Sequence, residues 1–358
     1  MSNTPALVDK DRKNTTLPDD DPTGADRKQD HIQLAFESQV AAGLVDPRFY
    51  YEPLLAAHPA TGSWPAIPFL GKTMRVPLWV SSMTGGTEKA HRINHNLARA
   101  CREFGMGMGL GSCRPLLYSD ERLVDFAVRD LIGDEQLLFA NLGIAQLEQL
   151  IEQQALWRIT AMIEKLRADG LIIHVNPLQE WLQPEGDRFR QPPLTTIKIV
   201  LETLPQLPVI VKEVGQGMGR ESLRQLLQLP LAAIDFAANG GTNFAKLELL
   251  RSTPEAYLVY ESLANVGHRA EEMVLLTNAL LAELGNQVQC RQLIISGGVQ
   301  TFLDGYYLTE KVHLPSIYGQ ASAFLRYAQD DYETLRTYVA AQVRGLELAR
   351  AFLTVKED

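Results

Sequence analysis

The chain has 358 residues, of which 46% are hydrophobic and 22% charged, and its formal net charge is −9. This is the composition of an ordinary globular protein long enough to bury a full core, and the acidic balance argues against a dedicated nucleic-acid surface. Cys101, Cys113 and Cys290 have no CxxC spacing, which points away from a disulfide framework or a zinc site and toward reduced thiols in a cytoplasm. The polar N-terminus shows no apolar signal segment and no run approaches membrane-spanning length, so no membrane partner is expected.

In chain order, residues 1–25 lack hydrophobic period and read as a mobile tail, leaving 26–358 as a single domain. A helix opens at Asp26, with Ile32, Leu34, Ala35 and Phe36 among its apolar positions. Arg27 and Lys28 stand at its start, either as a solvated charge cluster or as an arm that delivers two cations to an anionic ligand. The runs 67–70 and 74–76 flank Gly71-Lys72, which predicts a hairpin capping one end of the domain.

From Val76 a rhythm of short apolar strand, polar or glycine-rich end and helix sets in. Strands are predicted at 76–82, 106–111, 137–142, 171–176, 208–214, 232–238, 291–296 and 313–318. Helical patterns at 90–104, 123–131, 144–169, 195–204 and 222–229 separate them, and 244–290 should hold an extra turn or helix. Eight strands alternating with helices predict an α/β protein, a closed (β/α)8 TIM barrel. An open doubly wound sheet is the alternative, but no dinucleotide fingerprint follows the first strand.

Chemistry concentrates at the strand ends, above all in 171–186. Alternation puts His174 and Asn176 on one side; Pro177 stops the strand, and Gln179 and Glu180 are expected on the loop that follows. Other ends carry Ser82, Met83 and Thr84 before a Gly-Gly pair, Ser112 and Arg114 around Cys113, and Asn141. Cys113 could be a nucleophile, but packing is the simpler role for it. Lys212 lies on the face opposite Val209 and Val211, so its ammonium points into the barrel and should meet an anion. Thr242 follows Gly240-Gly241. The ends Ser296-Gly297-Gly298 and Gly319-Gln320-Ala321 have the form of the phosphate cradle of this barrel.

Together these pieces resemble the type 2 isopentenyl-diphosphate isomerases, FMN-dependent (β/α)8 barrels. The matching residues are Arg27-Lys28, Met83-Thr84-Gly85-Gly86, Gly111-Ser112-x-Arg114, Asn141, His174-x-Asn176-Pro177-Leu178-Gln179-Glu180, Gln183-Pro184-Glu185-Gly186-Asp187, Lys212-x-Val214-Gly215, Gly240-Gly241-Thr242 and Ser296-Gly297-Gly298. The stretch 174–187 is the most specific; the glycine-rich pieces are shared with other FMN barrels.

The resemblance implies a 1,3-allylic shift between isopentenyl and dimethylallyl diphosphate in isoprenoid biosynthesis, using reduced FMN, NADPH as reductant and Mg²⁺. It implies FMN contacts at Ser82, Met83, Thr84, Ser112, Asn141, Lys212 and Thr242. The phosphate cradle would be Ser296, Gly297, Gly298, Gly319, Gln320 and Ala321. Arg27, Lys28, Arg114, His174, Asn176 and Gln179 form the implied substrate set, with Glu180 on Mg²⁺ and with Gln179, His174 and Lys212 nearest the chemistry. A homo-oligomer, tetramers pairing into octamers, is implied as well.

Three departures loosen FMN contacts without touching the substrate set. Gln300 stands where the family often has a basic residue, Ala237 where it often has a serine, and the loop 318–324 is unusual. Two other functions share the barrel: an FMN oxidoreductase of the hydroxyacid-oxidase or dihydroorotate-dehydrogenase kind, which needs a base over the flavin, and a flavin-binding barrel without catalysis.

Overall fold

The structure is a computed structural model that describes residues 24–82 and 88–357, the side chains of 24–27 and 88 excepted. Residues 1–23 of the expected tail, Met83, Thr84 and the side chain of Arg27 therefore lie outside the described residues. The contacts divide the chain into two units, residues 1–48 and 49–358. The first holds the helix Gly24–Leu34, on which Lys28 is exposed, and a single 3₁₀ turn, Ala42–Leu44.

In the second unit eight parallel strands close into a barrel: β1 (Leu78–Val80), β2 (Gly107–Gly109), β3 (Leu138–Gly143), β4 (Gly170–His174), β5 (Val209–Lys212), β6 (Ala233–Asp235), β7 (Leu293–Ser296) and β8 (Ser316–Gln320). They follow one another around the barrel in sequence order, β8 pairing back onto β1. All eight predicted strands are present, most of them shorter than the apolar runs that announced them. Side chains alternate as the pleat requires. Trp79, Phe139, Ile172, Ile210 and Ile294 fill the interior, while Val209 and Val211 join the larger core between barrel and helices. Each such fully buried side chain contributes about 1.5–3 kcal/mol. The glycines of β2 have a steric reason: a Cβ on Gly107 would stand 2.5 Å from the Trp79 ring.

The predicted hairpin forms between Ile67–Phe69 and Lys72–Met74. Leu70 and Gly71 make its two-residue turn with φ of 47° and 79°, the left-handed pair that matches strand twist. Phe69 and Met74 pack into the interior cluster, so the hairpin closes the N-terminal end of the barrel. The C-terminal end is left open for chemistry.

Four expectations about helices are revised. The pattern at 123–131 becomes a 3₁₀ turn, Leu123–Asp125, and a short helix, Arg129–Ile132. Arg129 is buried and donates to the carbonyls of Gly133, Gln136 and Arg167 and to Asp169, so a charge occupies the inward face. The run 144–169 divides into Ile144–Glu152 and Trp157–Leu166 around Gln154, whose φ is 53°. The insertion 244–290 contains three helices, Phe244–Arg251, Pro254–Ala264 and Ala270–Leu284. Gln179 and Glu180 stand on a helix, Pro177–Leu182, rather than on a loop. Pro177 ends the strand and also starts this helix, because its fixed φ and missing N–H suit the first helical position. Among the described residues no helix is long and apolar enough to cross a membrane.

Candidate active site

A cavity of about 610 Å³ opens at the C-terminal ends of β5 to β8 and β1. Its walls are mostly backbone and small side chains from the loops after β6, β7 and β8, including Thr242, Gly297, Gly298 and Ala321. Among the described residues two side-chain cations line it, Lys212 and Arg326, and no carboxylate does. In a chain of net charge −9, that local balance selects an anionic ligand. Ala237, also in the wall, holds a left-handed backbone, φ 42°. Its N–H donates to Ser296 Oγ at 3.0 Å.

The floor is a row of charged and polar groups set by strand register. His174 pairs across to Lys212, and Lys212 to Asp235. Lys212 is only 6% exposed and donates to the Glu213 carbonyl at 2.7 Å. Asp235 is fully buried and accepts from Ser296 Oγ through Oδ1. Burial raises its pKa, while the Lys212 ammonium and the Ser296 hydroxyl oppose the rise. Asp235 Oδ2, Ser81 Oγ and Ser82 Oγ are buried with no hydrogen-bond partner among the described residues. Unpaired buried polar atoms are costly, and Ser81 and Ser82 both line the cavity, which fits a site shaped for a polar ligand.

Beside the cavity, at β3 and β4, the side chains hold one another. His174 Nδ1 lies 2.7 Å from Asn141 Oδ1. Burial first, and then the nearby Lys212 ammonium, push the His174 pKa down to about 3, so the ring is neutral at neutral pH. Gly143 makes room for this arrangement: a Cβ there would stand 2.7 Å from His174 Nε2 and 2.4 Å from Gln146 Oε1. Asn176 donates to Gln179 Oε1 at 3.1 Å and to Glu180 Oε1 at 3.0 Å. The other Glu180 oxygen accepts the Asp187 N–H at 2.7 Å. Asp187 in turn accepts from Gln146, Gln149 and the exposed Arg114 at 3.1–3.3 Å. Asn176 Oδ1 is buried and without a partner among the described residues.

No protein-family model matches the sequence. The isopentenyl-diphosphate delta-isomerase of Rickettsia felis is 32% identical over 331 residues, covering 90% of this chain and 91% of its own length. The enzyme of the same name from Rickettsia typhi is 33% identical over 309 residues, 85% and 86% of the two chains. The chain belongs to the isopentenyl-diphosphate delta-isomerase family. It is an isomerase, and the barrel mouth is its candidate active site. Solved structures share the barrel alone at this level of identity. Flavocytochrome b2 with sulfite bound superposes with a TM-score of 0.58 at 13% identity, covering 85% of this chain and 72% of that one. A mandelate oxidase mutant with the monooxide FMN adduct gives 0.52 at 14%, covering 86% and 88%.

For this isomerase the structure gathers His174, Asn176, Gln179 and Glu180 on β4 and the helix after it, as the sequence suggested. Lys212, Thr242, Ser82, Gly319 and Gln320 line the cavity with the glycine pairs. Ser112 is exposed after β2, next to Cys113. Cys113 is fully buried, and that burial raises its thiol pKa to about 12, so it packs and is no nucleophile. The side chains of Ser296 and Gln320 already have protein partners: Gln320 accepts from Tyr338 at 3.2 Å and donates to the Val299 and Gln300 carbonyls. Sequence reasoning missed Asp235, Gln146 and Arg326. Asp235 left a signal, a lone carboxylate inside the apolar run 231–238; Arg326 left none.

Proposed function

We propose that this chain interconverts isopentenyl and dimethylallyl diphosphate by a 1,3-allylic proton shift, with FMN in the barrel cavity, reduced by NADPH, and Mg²⁺ at Glu180. The observation that carries the reading is a cavity lined among the described residues by two cations and no carboxylate, adjoining an oxygen-rich rim, in a member of the isopentenyl-diphosphate delta-isomerase family. A phosphate-bearing flavin suits the cavity's charge, its polar walls and the Ser81 and Ser82 hydroxyls, which have no partner among the described residues. A hard cation suits the rim. Glu180 offers a carboxylate beside Asn176 Oδ1, which has no partner among the described residues, and one protein carboxylate completed by waters and diphosphate oxygens is a common Mg²⁺ arrangement.

When bound, reduced FMN supplies an electron-rich ring that favours positive charge developing on the allylic substrate. Lys212 balances the negative charge of that ring from the barrel floor. Arg114 grips the diphosphate. His174, held neutral, orients through a hydrogen bond without adding a second positive charge beside Lys212. Gln179 is a poor acid as a neutral amide, so it orients a proton in transit and does not generate one. Hydroxyacid oxidation needs a base over the flavin, and among the described residues the cavity wall holds neither histidine nor carboxylate.

The test is anaerobic incubation of the purified protein with isopentenyl diphosphate, FMN, Mg²⁺ and dithionite or NADPH. Dimethylallyl diphosphate should form only when the flavin is reduced. An FMN-loaded protein that makes no product under any of these conditions would overturn the isomerase reading in favour of an oxidoreductase or a binding role.

A further inference from the structure

We infer that Arg326, a residue outside the sequence-derived site, is the cation that holds the phosphate of the flavin. The inference rests on the FMN reading of the cavity and adds the residue that discriminates FMN from unphosphorylated flavin.

Only two described cations line the cavity, and they have different surroundings. Lys212 is buried on the barrel floor, donates to Glu213 and sits in register with His174 and Asp235. Arg326 comes from the helix Ser322–Ala328 that follows β8. Its side chain is near enough to Tyr338 to act electrostatically on that phenol, and Tyr338 bonds Gln320, which bonds the carbonyls of Val299 and Gln300. Arg326 therefore stands at the glycine-rich β7–β8 end, away from the floor. Although exposed, it forms no hydrogen bond and no ion pair among the described residues. Other arginines of the barrel meet carboxylates, as Arg114 does Asp187 and Arg251 does Glu185 and Glu248.

The loop after β7 cannot supply this charge. Gln300 is neutral, and the N–H groups of Gln300 and Thr301 donate to Asp304 Oδ2 at 3.1 and 2.8 Å, so two backbone donors at this end are already used by a carboxylate. A phosphate placed against the loop would face Asp304's charge with those donors occupied. A guanidinium that offers paired N–H groups in a planar fork answers both deficits.

The experiment is fluorescence titration of the flavin-free full chain with FMN and with riboflavin, for wild type, Arg326→Gln and Arg326→Lys. Wild type should prefer FMN. Arg326→Gln should weaken FMN by about 10- to 100-fold, the range for a hydrogen bond to a charged group, and leave riboflavin unchanged. Arg326→Lys should keep part of the preference, because the charge remains without the fork. An unchanged FMN-to-riboflavin ratio in Arg326→Gln, whether both affinities hold or both fall together, would overturn the assignment alone. A wild-type protein that takes up neither flavin would overturn the FMN reading with it.

Discussion

Around β5 to β8 the barrel mouth is walled by glycine, small side chains and two cations, and polar atoms such as Asp235 Oδ2 lack partners among the described residues. Around β3 and β4 the side chains are interlocked: Asn176 binds Glu180 and Gln179, Glu180 binds the backbone of Asp187, and Asp187 gathers Gln146, Gln149 and Arg114. One half is left open for a large ligand to complete, and the other is organised before any ligand arrives. The contrast is what preorganisation asks of the proposed reaction, in which a bulky cofactor is bound and a small, flexible diphosphate is positioned.

Breaking each half in turn should give different losses. The largest is expected from Lys212→Ala on the cavity floor. It removes a preorganised charge, worth about 10³ in turnover at the upper end for a single such donor, and leaves Asp235 buried beside no cation. Anaerobic initial rates with reduced flavin measure it; a rate within tenfold of wild type would show that the floor charge is dispensable. Flavin affinity should weaken in the same variant.

Glu180→Gln acts on the other half. If the proposed Mg²⁺ sits at Glu180, turnover should fall by about 10² or more, its dependence on Mg²⁺ should disappear, and FMN affinity should stay as in wild type. Turnover that still responds to Mg²⁺ would remove the metal assignment and the division of labour with it.

The smallest effect tests whether burial, with Lys212 nearby, holds His174 neutral. Its pKa is about 3 in the folded chain against 6.5 for a free histidine, so between those values the unfolded state binds the extra proton. Stability therefore rises with pH in that window: the contribution is whole above 6.5 and is lost as pH falls toward 3. At pH 5 the loss relative to pH 7 should approach about 2 kcal/mol, from 1.36 kcal/mol per pKa unit. Urea unfolding of wild type and His174→Gln at the two pH values isolates it. A stability difference between the two proteins that does not change with pH would mean that the ring is not held neutral.

Local pattern carried a large share of this architecture. Short apolar runs with glycine-rich or polar ends predicted all eight strands, Gly71-Lys72 the closing hairpin, and the opposition of Lys212 to Val209 and Val211 an inward ammonium. The gathering at 174–180 was legible for the same reason, since its residues lie within two turns of chain. Helix boundaries were less so, because inward charges such as Arg129 find partners that local period cannot foresee.

What the chain by itself determined is the barrel, which end is closed, and which side chains its strands aim inward, since these follow from pleat and from the φ values glycine allows. What only the tertiary structure decided is which polar groups use their hydrogen bonds on one another. Ser296 meets Asp235 across 61 residues and Arg114 meets Asp187 across 73, while Arg326 comes to the cavity from the helix after β8 and meets no partner among the described residues. Such pairings depend on through-space distance between strands and helices, a quantity that neither composition nor periodicity contains.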